Sequence, residues 1–300
     1  MGRTLFGPLT RWLKDPPPSF VFELSEAGIA WAEIARQPKI AFAPIERDVI
    51  SVSPLRDNIL RPETLQAQVR TLVAADGRPR RRRAALILPD YSVRVTVLDF
   101  DSFPSDAFDR LSLIRFRLKR TVPFDIESAA LSFQAQPDRA GGKRVDVAVA
   151  LAPQEIVSRY ENPFRMAGFH TGLVTTSLLS ALELVPAHGV NVLAKRTGRI
   201  LSLAVLVDGI LKLARSIEMD ETSLKEISSH LFPTLAYVED QLAARPDTIF
   251  ICGFGVESEQ TGRLLEAALG APVRLLSSRW GQPGEFNSGV LGYLETVKDF

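Results

Sequence analysis

The same order of secondary-structure signals occurs twice along this chain of 300 residues. Each copy has three short apolar strands, a helix, a strand and a further helix, first from about residue 19 and again from about residue 190. The copies share this order but no repeated sequence. A pattern that mixes strands and helices in this way favours an α/β fold with two lobes.

The first copy is interrupted by an insertion at about residues 90–152. Alternation around Val95 and Val97 predicts a half-buried strand, and a helix follows for which we predict Ser105 as the N-cap and Phe108 as an inward residue. Two more strands complete a small α+β subdomain. The predicted organisation is an amphipathic or flexible segment 1–18, a first lobe 19–189 that contains the insertion, and a second lobe 190–300 that ends in a C-terminal helix.

Composition excludes several classes of function. The net charge of +1 gives no overall basis for binding nucleic acid, and one cysteine, Cys252, fits a reducing cytosol. His170, His188 and His230 lack metal-ligand spacing, so no metal site is predicted. No apolar run reaches the roughly 20 residues that span a bilayer. We therefore expect a cytoplasmic protein whose membrane contact is peripheral at most, through the basic amphipathic segment 1–18.

Motifs in both lobes carry a family resemblance. The pair Phe-Pro at 103–104 precedes a helix that ends in TVPFDIE at 121–127, and a Leu-Ser-Phe strand follows at 131–133. The second lobe adds an Asp-Gly turn at 208–209. Over residues 19–297 the chain resembles the PilM family, the actin-like cytoplasmic proteins of type IV pilus assembly, and it is related to the cytoplasmic domain of GspL. The resemblance implies an actin-like (ribonuclease H-like) two-lobe fold with an inserted small α+β subdomain.

The first phosphate loop that the resemblance implies has lost its chemistry. In PilM the first strand ends in an Asp-Ile-Gly turn, followed by a lysine that contacts phosphate. The matching residues here are Glu23 for the aspartate, Ser25 for the glycine and Ala30 for the lysine, and Glu26 adds a negative charge to the loop. We predict a degenerate phosphate loop, with Glu23 as a metal-organising acid as the alternative.

The second loop shows a complementary loss. Ala194, Lys195 and Arg196 match the family's second Asp-Ile-Gly, so the aspartate that directs Mg²⁺ is absent. Gly253 and Gly255 alone retain a nucleotide-side turn, and they fit an ordinary tight turn equally well. The combined prediction is a pseudo-ATPase without catalytic residues or a cofactor.

Binding then remains as the function. The resemblance implies a scaffold of a pilus-like platform that binds the cytoplasmic N-terminal peptide of an inner-membrane PilN-like partner and is recruited to the inner-membrane face. The residues that we predict to contact this partner are Val95, Val97, Arg110, Arg117 and Lys119. A motor ATPase and self-association are further expected partners.

Three alternatives stay open. One is an active ATPase that uses ATP with Mg²⁺ in a rearranged site around Lys195, Arg196 and residues 253–255. Another is a polymerising actin homologue of cell division. The third is a GspL-like component of type II secretion.

Overall fold

A computed structural model describes residues 18–74, 82–136 and 144–297. The predicted N-terminal segment lies outside these residues apart from Pro18. The strands are β1 (Phe20–Leu24), β2 (Gly28–Glu33), β3 (Ile40–Pro44), β4 (Arg82–Leu88), β5 (Arg94–Phe100), β6 (Ala129–Ala135), β7 (Val145–Pro153), β8 (Phe169–Thr176), β9 (Val190–Thr197), β10 (Ile200–Val207), β11 (Ile210–Glu218), β12 (Thr248–Cys252) and β13 (Val273–Leu275). The α-helices are α1 (Pro62–Ala74), α2 (Ala107–Leu118), α3 (Gln154–Met166), α4 (Ser177–Ala181), α5 (Leu224–Leu242), α6 (Ser258–Leu269) and α7 (Ser288–Thr296).

The two lobes contain sheets of the same topology. The first has the order β3-β2-β1-β4-β8 and the second has β11-β10-β9-β12-β13. In each, a three-stranded antiparallel meander continues into two parallel strands. The doubled pattern in the sequence therefore corresponds to two equivalent sheets, in which β1 and β9 occupy the same central position.

Burial on both faces explains why the central strands are apolar throughout. All five residues of β1 are buried, and its side chains alternate between the two faces of the sheet. Phe22 packs into the cluster formed with α1 and α3, which includes Leu65 and Phe164. Val21 packs into the cluster on the opposite face. The end of β1 is thereby fixed in the interior of the molecule.

The C-terminal helix α7 packs against the first lobe, which corrects its predicted place in the second lobe. Val290 and Tyr293 share a core cluster with Val21 and Ala30. The backbones of α7 and α4 come so close that a Cβ at Gly292 would lie 1.9 Å from the carbonyl oxygen of Ser180. The chain therefore returns to the lobe where it began.

The insertion forms a third sheet, β5-β7-β6, with α2 packed on one face. Ile114 and Leu118 of α2 point into this small core. Two details of the predicted helix are wrong. Its N-cap is Asp106, whose carboxylate accepts from two backbone N–H groups, and Phe108 is 75% exposed.

Candidate functional site

Glu23, at the end of β1, has a fully enclosed carboxylate. It accepts a hydrogen bond from the Ser177 hydroxyl and another, of 2.9 Å, from the Val290 N–H at the start of α7. Burial raises the pKa of Glu23 to about 7, although the positive charge of Lys195 acts in the opposite direction. A carboxyl group that is surrounded by donors of its own chain is poorly placed to organise a metal ion.

The turn after β1 is closed by its own hydrogen bonds. The Ser25 N–H donates to the Gly28 carbonyl at 2.9 Å, and the Gly28 N–H donates to both oxygens of Ser25. The Glu26 carboxylate accepts a hydrogen bond from the Val52 N–H at 2.7 Å, and the effect of its charge on the loop stays a prediction. Ala30 is buried against α7 in the core. The N–H groups of Ser25 and Gly28 therefore hold the turn together, and neither is free to bind a phosphate group.

The second turn places a cation in the interior. Lys195, near the end of β9, is 1% exposed, and its ammonium group donates to Asp90 Oδ2 at 3.0 Å and to Thr197 Oγ1 at 2.7 Å. Burial by itself lowers the pKa of Lys195, but the attraction of Asp90 and Glu23 outweighs it and the net shift is upward. Lys195 is therefore held in its charged form.

Asp90 connects the two lobes at this point. It begins a short 3-10 helix directly after β4 of the first lobe. One carboxylate oxygen accepts from the Leu178 N–H at 2.5 Å, and the other accepts from Lys195 and from Ser202 Oγ at 2.9 Å. Because Lys195 and Ser202 belong to β9 and β10, one buried carboxylate joins β4 and α4 to the second lobe.

The nucleotide-side turn is explained by close packing. A Cβ at Gly253 would lie 2.0 Å from the carbonyl oxygen of Arg196, and the φ of Gly253 is 82°. The Arg196 guanidinium lies over the Phe254 ring at 5.7 Å and is 4.0 Å from Glu285. Gly255 also has a positive φ, of 74°, but with open space around it. The glycines thus fit the tight-turn interpretation, and Ala194 is buried in the second-lobe core.

The start of α5 is likewise satisfied internally. Ser223 caps the helix, and Glu226 accepts from the backbone N–H groups of Asp220 and Glu221 at 2.8 and 2.6 Å. The arrangement resembles a capping box, except that the Glu226 carboxylate accepts from N–H groups two and three residues before the N-cap. A helix N-terminus attracts anions when its N–H groups are free, and here a carboxylate of the chain already lies among the donors that precede the helix.

Of the predicted site residues, the structure brings Glu23 and Lys195 into one buried cluster. Sequence reasoning missed Asp90 and Ser177, which complete it. The only sequence signal for Asp90 is a carboxylate directly after the apolar run that forms β4. Within the parts of the chain that the structure describes, no group of three His, Cys, Asp or Glu side chains is arranged to hold a metal ion.

The predicted partner surface divides into two parts. Val95 is buried, and Val97 is partly buried, in the contact between the inserted sheet and the second-lobe core, so neither is freely available. The three cations lie on or next to α2: the Arg110 and Arg117 guanidiniums stack over Phe rings at 5.3 and 5.6 Å, and Lys119 is exposed after the last turn. Their role in binding stays a prediction.

Paired lobes with equivalent sheets, in which β1 and β9 hold the same central position, and an inserted subdomain define a protein with the actin-like ATPase fold. A solved structure of a PilM–PilN type IV pilus biogenesis complex matches with a TM-score of 0.77 at 15% identity, covering 95% of this chain and 100% of that chain. The predicted likeness to PilM is thus confirmed at the level of the fold.

Two further structures agree on the architecture. The cytoplasmic domain of EpsL, from the type II secretion system of Vibrio cholerae, has a TM-score of 0.51 at 14% identity, with 94% of this chain and 95% of that chain covered. An actin-like protein of unknown function from Bacteroides thetaiotaomicron has a TM-score of 0.50 at 11% identity, with 91% and 94% covered. No protein-family model and no curated protein matches the sequence.

The helices that the structure describes include none with the length and apolar character needed to cross a bilayer.

Proposed function

We propose that this chain is a nucleotide-independent, non-catalytic scaffold of a type IV pilus-like or type II secretion-like assembly. Its main partner is the cytoplasmic N-terminal tail of an inner-membrane protein related to PilN, which recruits the chain to the inner-membrane face. A motor ATPase is a further partner. The support for this assignment is the full-length likeness of fold to PilM in its complex with PilN.

The buried Lys195–Asp90 pair is the observation that carries the non-catalytic part of the proposal. Mg²⁺ prefers carboxylate and water oxygens in near-octahedral geometry. Here the ammonium group of Lys195 lies 3.0 Å from Asp90. Lys195 directly follows Ala194, which stands where the family resemblance implies a metal-directing aspartate. An internal cation of this kind supplies the positive charge that the metal would bring, and it repels a second cation.

The state of the loop amides supports the same proposal. Phosphate recognition by this fold class depends on free backbone N–H groups at strand-to-strand turns and helix starts. The N–H groups of Ser25 and Gly28 are bonded within their own turn. Those of Asp220 and Glu221 are bonded to Glu226. A phosphate group would have to displace these bonds and would meet the Glu226 carboxylate.

A thermal-shift titration with Mg·ATP tests nucleotide independence. A ligand at 100 times its dissociation constant stabilises a protein by about 2.7 kcal/mol. A site with a micromolar dissociation constant would therefore give a clear rise in Tm at millimolar Mg·ATP. We expect no saturable rise, while an active actin-like ATPase measured in parallel shows one. Saturable stabilisation would refute the proposal in favour of the ATPase alternative, and nucleotide-dependent sedimentation would favour a polymerising protein.

A peptide titration tests the partner. The probe is a fluorescent peptide with the cytoplasmic N-terminal sequence of a PilN-related inner-membrane protein from the same organism. We expect saturable binding that weakens in Arg110→Glu and Arg117→Glu, with Arg263→Glu, an exposed position on α6, as the matched control. An absence of binding to the wild type would refute the partner. Equal binding by all variants would show that the peptide does not bind to α2.

A further inference from the structure

Helix α2 carries an apolar stripe on the side that faces away from its own core. Phe108 and Phe116 are 75% and 77% exposed, and the exposed Ser112 lies halfway between them. Eight residues correspond to about 12 Å along a helix, and residues four apart lie on the same side. The core-facing side, centred about 90° round the helix from Phe108, is buried through Ile114 and Leu118. Two exposed phenylalanines on one helix side are unusual unless the side binds something.

The charges beside this stripe differ between its two ends. Asp106 and Asp109 outnumber Arg110 at the end near Phe108, whereas Lys119 and Arg120 follow the end near Phe116. Between them, Arg115 and Arg117 pair with Glu127 and Asp99. Among the residues that the structure describes, neither Asp109 nor Arg120 takes part in an ion pair. A helix that is acidic at one end and basic at the other is complementary to a second copy of itself in the antiparallel direction.

We propose that two copies of the chain associate through this stripe, with α2 packed antiparallel on α2 around a twofold axis near Ser112. The symmetry places Phe108 of each copy at the level of Phe116 of the other, and the acidic end of each helix beside the basic end of the other. The small side chain of Ser112 allows the helix axes to approach to about 8–10 Å. Arg110 and Arg117 lie on a different side of α2 from the stripe, whereas Lys119 adjoins its basic end, so the two proposed surfaces meet only at Lys119.

An anionic lipid surface fits the stripe less well than a second copy. The basic end would be attracted to it, but Asp106 and Asp109 would be held against negative charge. The size of the stripe also sets the strength of pairing. If each ring buries roughly 150 Å², four rings bury on the order of 600 Å², which is about half of the roughly 1,200 Å² at the lower limit of stable specific interfaces, so the pairing is weak. The dimer is therefore expected to form as protein concentration rises.

Sedimentation velocity over a concentration series tests whether the dimer exists. We expect a reversible monomer–dimer equilibrium in the wild type, and monomer at all concentrations in a Phe108→Ser, Phe116→Ser double variant. Unchanged circular dichroism and Tm would show that this variant is folded, as expected for two exposed side chains. A wild type that stays monomeric at high concentration would overturn the proposal, and so would a double variant that dimerises normally.

Cysteine cross-linking and charge reversal test the geometry. Ser112→Cys lies on the proposed axis and should form an intermolecular disulfide under mild oxidation, whereas Ser229→Cys on α5 should not; the native Cys252 is buried. Asp109→Lys should weaken pairing, and adding Arg120→Glu should restore it. Cross-linking at both cysteine positions alike, or no restoration by the second charge change, would exclude this arrangement. Binding to anionic vesicles without any dimer would assign the stripe to lipid and overturn the proposal.

Discussion

Replacing Lys195 with methionine should destabilise the protein strongly, because it leaves a buried carboxylate without its cation. The side chains of the pair are 1% and 3% exposed. Removing one partner of a buried ion pair typically costs about 3–5 kcal/mol. Asp90 would keep hydrogen bonds from the Leu178 N–H and Ser202 Oγ, so we expect a loss near the lower limit, about 3 kcal/mol. That is a large part of the 5–15 kcal/mol typical of a folded protein.

Urea denaturation at pH 7 with a double variant separates this charge effect from lost packing. Asp90→Asn combined with Lys195→Met removes both charges, and such paired replacements are often neutral. We expect the double variant to recover most of the loss. Arg144→Ala is the control, since its ion pair with Asp101 is 76% and 90% exposed and should contribute less than about 1 kcal/mol. A single variant as stable as the wild type, or a double variant no better than the single, would refute the reasoning.

The remaining predictions concern Glu23, the glycines of the turn after β12, and Gln136 between the insertion and the second lobe. Burial raises the pKa of Glu23 from 4.5 to about 7, so the stability that its proton supplies is present below pH 4.5 and is lost as the pH rises through 7. Between pH 5 and 8 the wild type should therefore lose up to about 3 kcal/mol more than Glu23→Gln in urea titrations, and equal slopes would contradict this. Gly253→Ala should lower Tm more than Gly255→Ala, because both have positive φ but only the former meets a backbone oxygen at 2.0 Å. Gln136→Ala removes two hydrogen bonds, of 2.7 and 2.8 Å, to the backbone of Leu211 in the second lobe; it should cost about 1–3 kcal/mol, and limited proteolysis should cut the insertion faster than in the wild type.

The doubled fold could be predicted because burial leaves a direct trace in sequence. Central strands such as β1 and β4 are apolar along most of their length, and the insertion shows alternation instead, as a sheet with two different faces does. The place of α7 could not be predicted in this way. Every residue from Ser288 to Leu294 is buried, which indicates an enclosed helix without indicating which lobe encloses it.

The orientation of α2 shows a related limit. Phe108 follows the helical spacing of Leu111, Ile114 and Leu118, so periodicity alone includes it in the core. At 3.6 residues per turn, however, Phe108 is about 90° round the helix from the centre of that buried side. Such a residue is at the edge of the apolar side, and only tertiary packing decides whether it is covered.

The candidate site was predictable one residue at a time but not as a cluster. Glu23 and Lys195 stand out because they replace residues that the family resemblance implies. Asp90 has no such marker, and it lies 105 positions from Lys195 in sequence. Contacts between lobes depend on how the sheets are placed relative to one another, which local periodicity does not encode.

A lysine ammonium group that belongs to the chain and a metal ion that can dissociate affect the arrangement of the lobes of an actin-like fold in different ways. A ligand shifts the balance between two arrangements of the lobes only through its different affinities for them. Lys195 belongs to the chain, so its attraction to Asp90 is present at every ligand concentration, and its raised pKa keeps it charged across the physiological pH range. We therefore expect one fixed arrangement of the lobes and no nucleotide-driven cycle. Regulation in such a protein would depend on which partners bind its outer surfaces, as the proposed scaffold function requires.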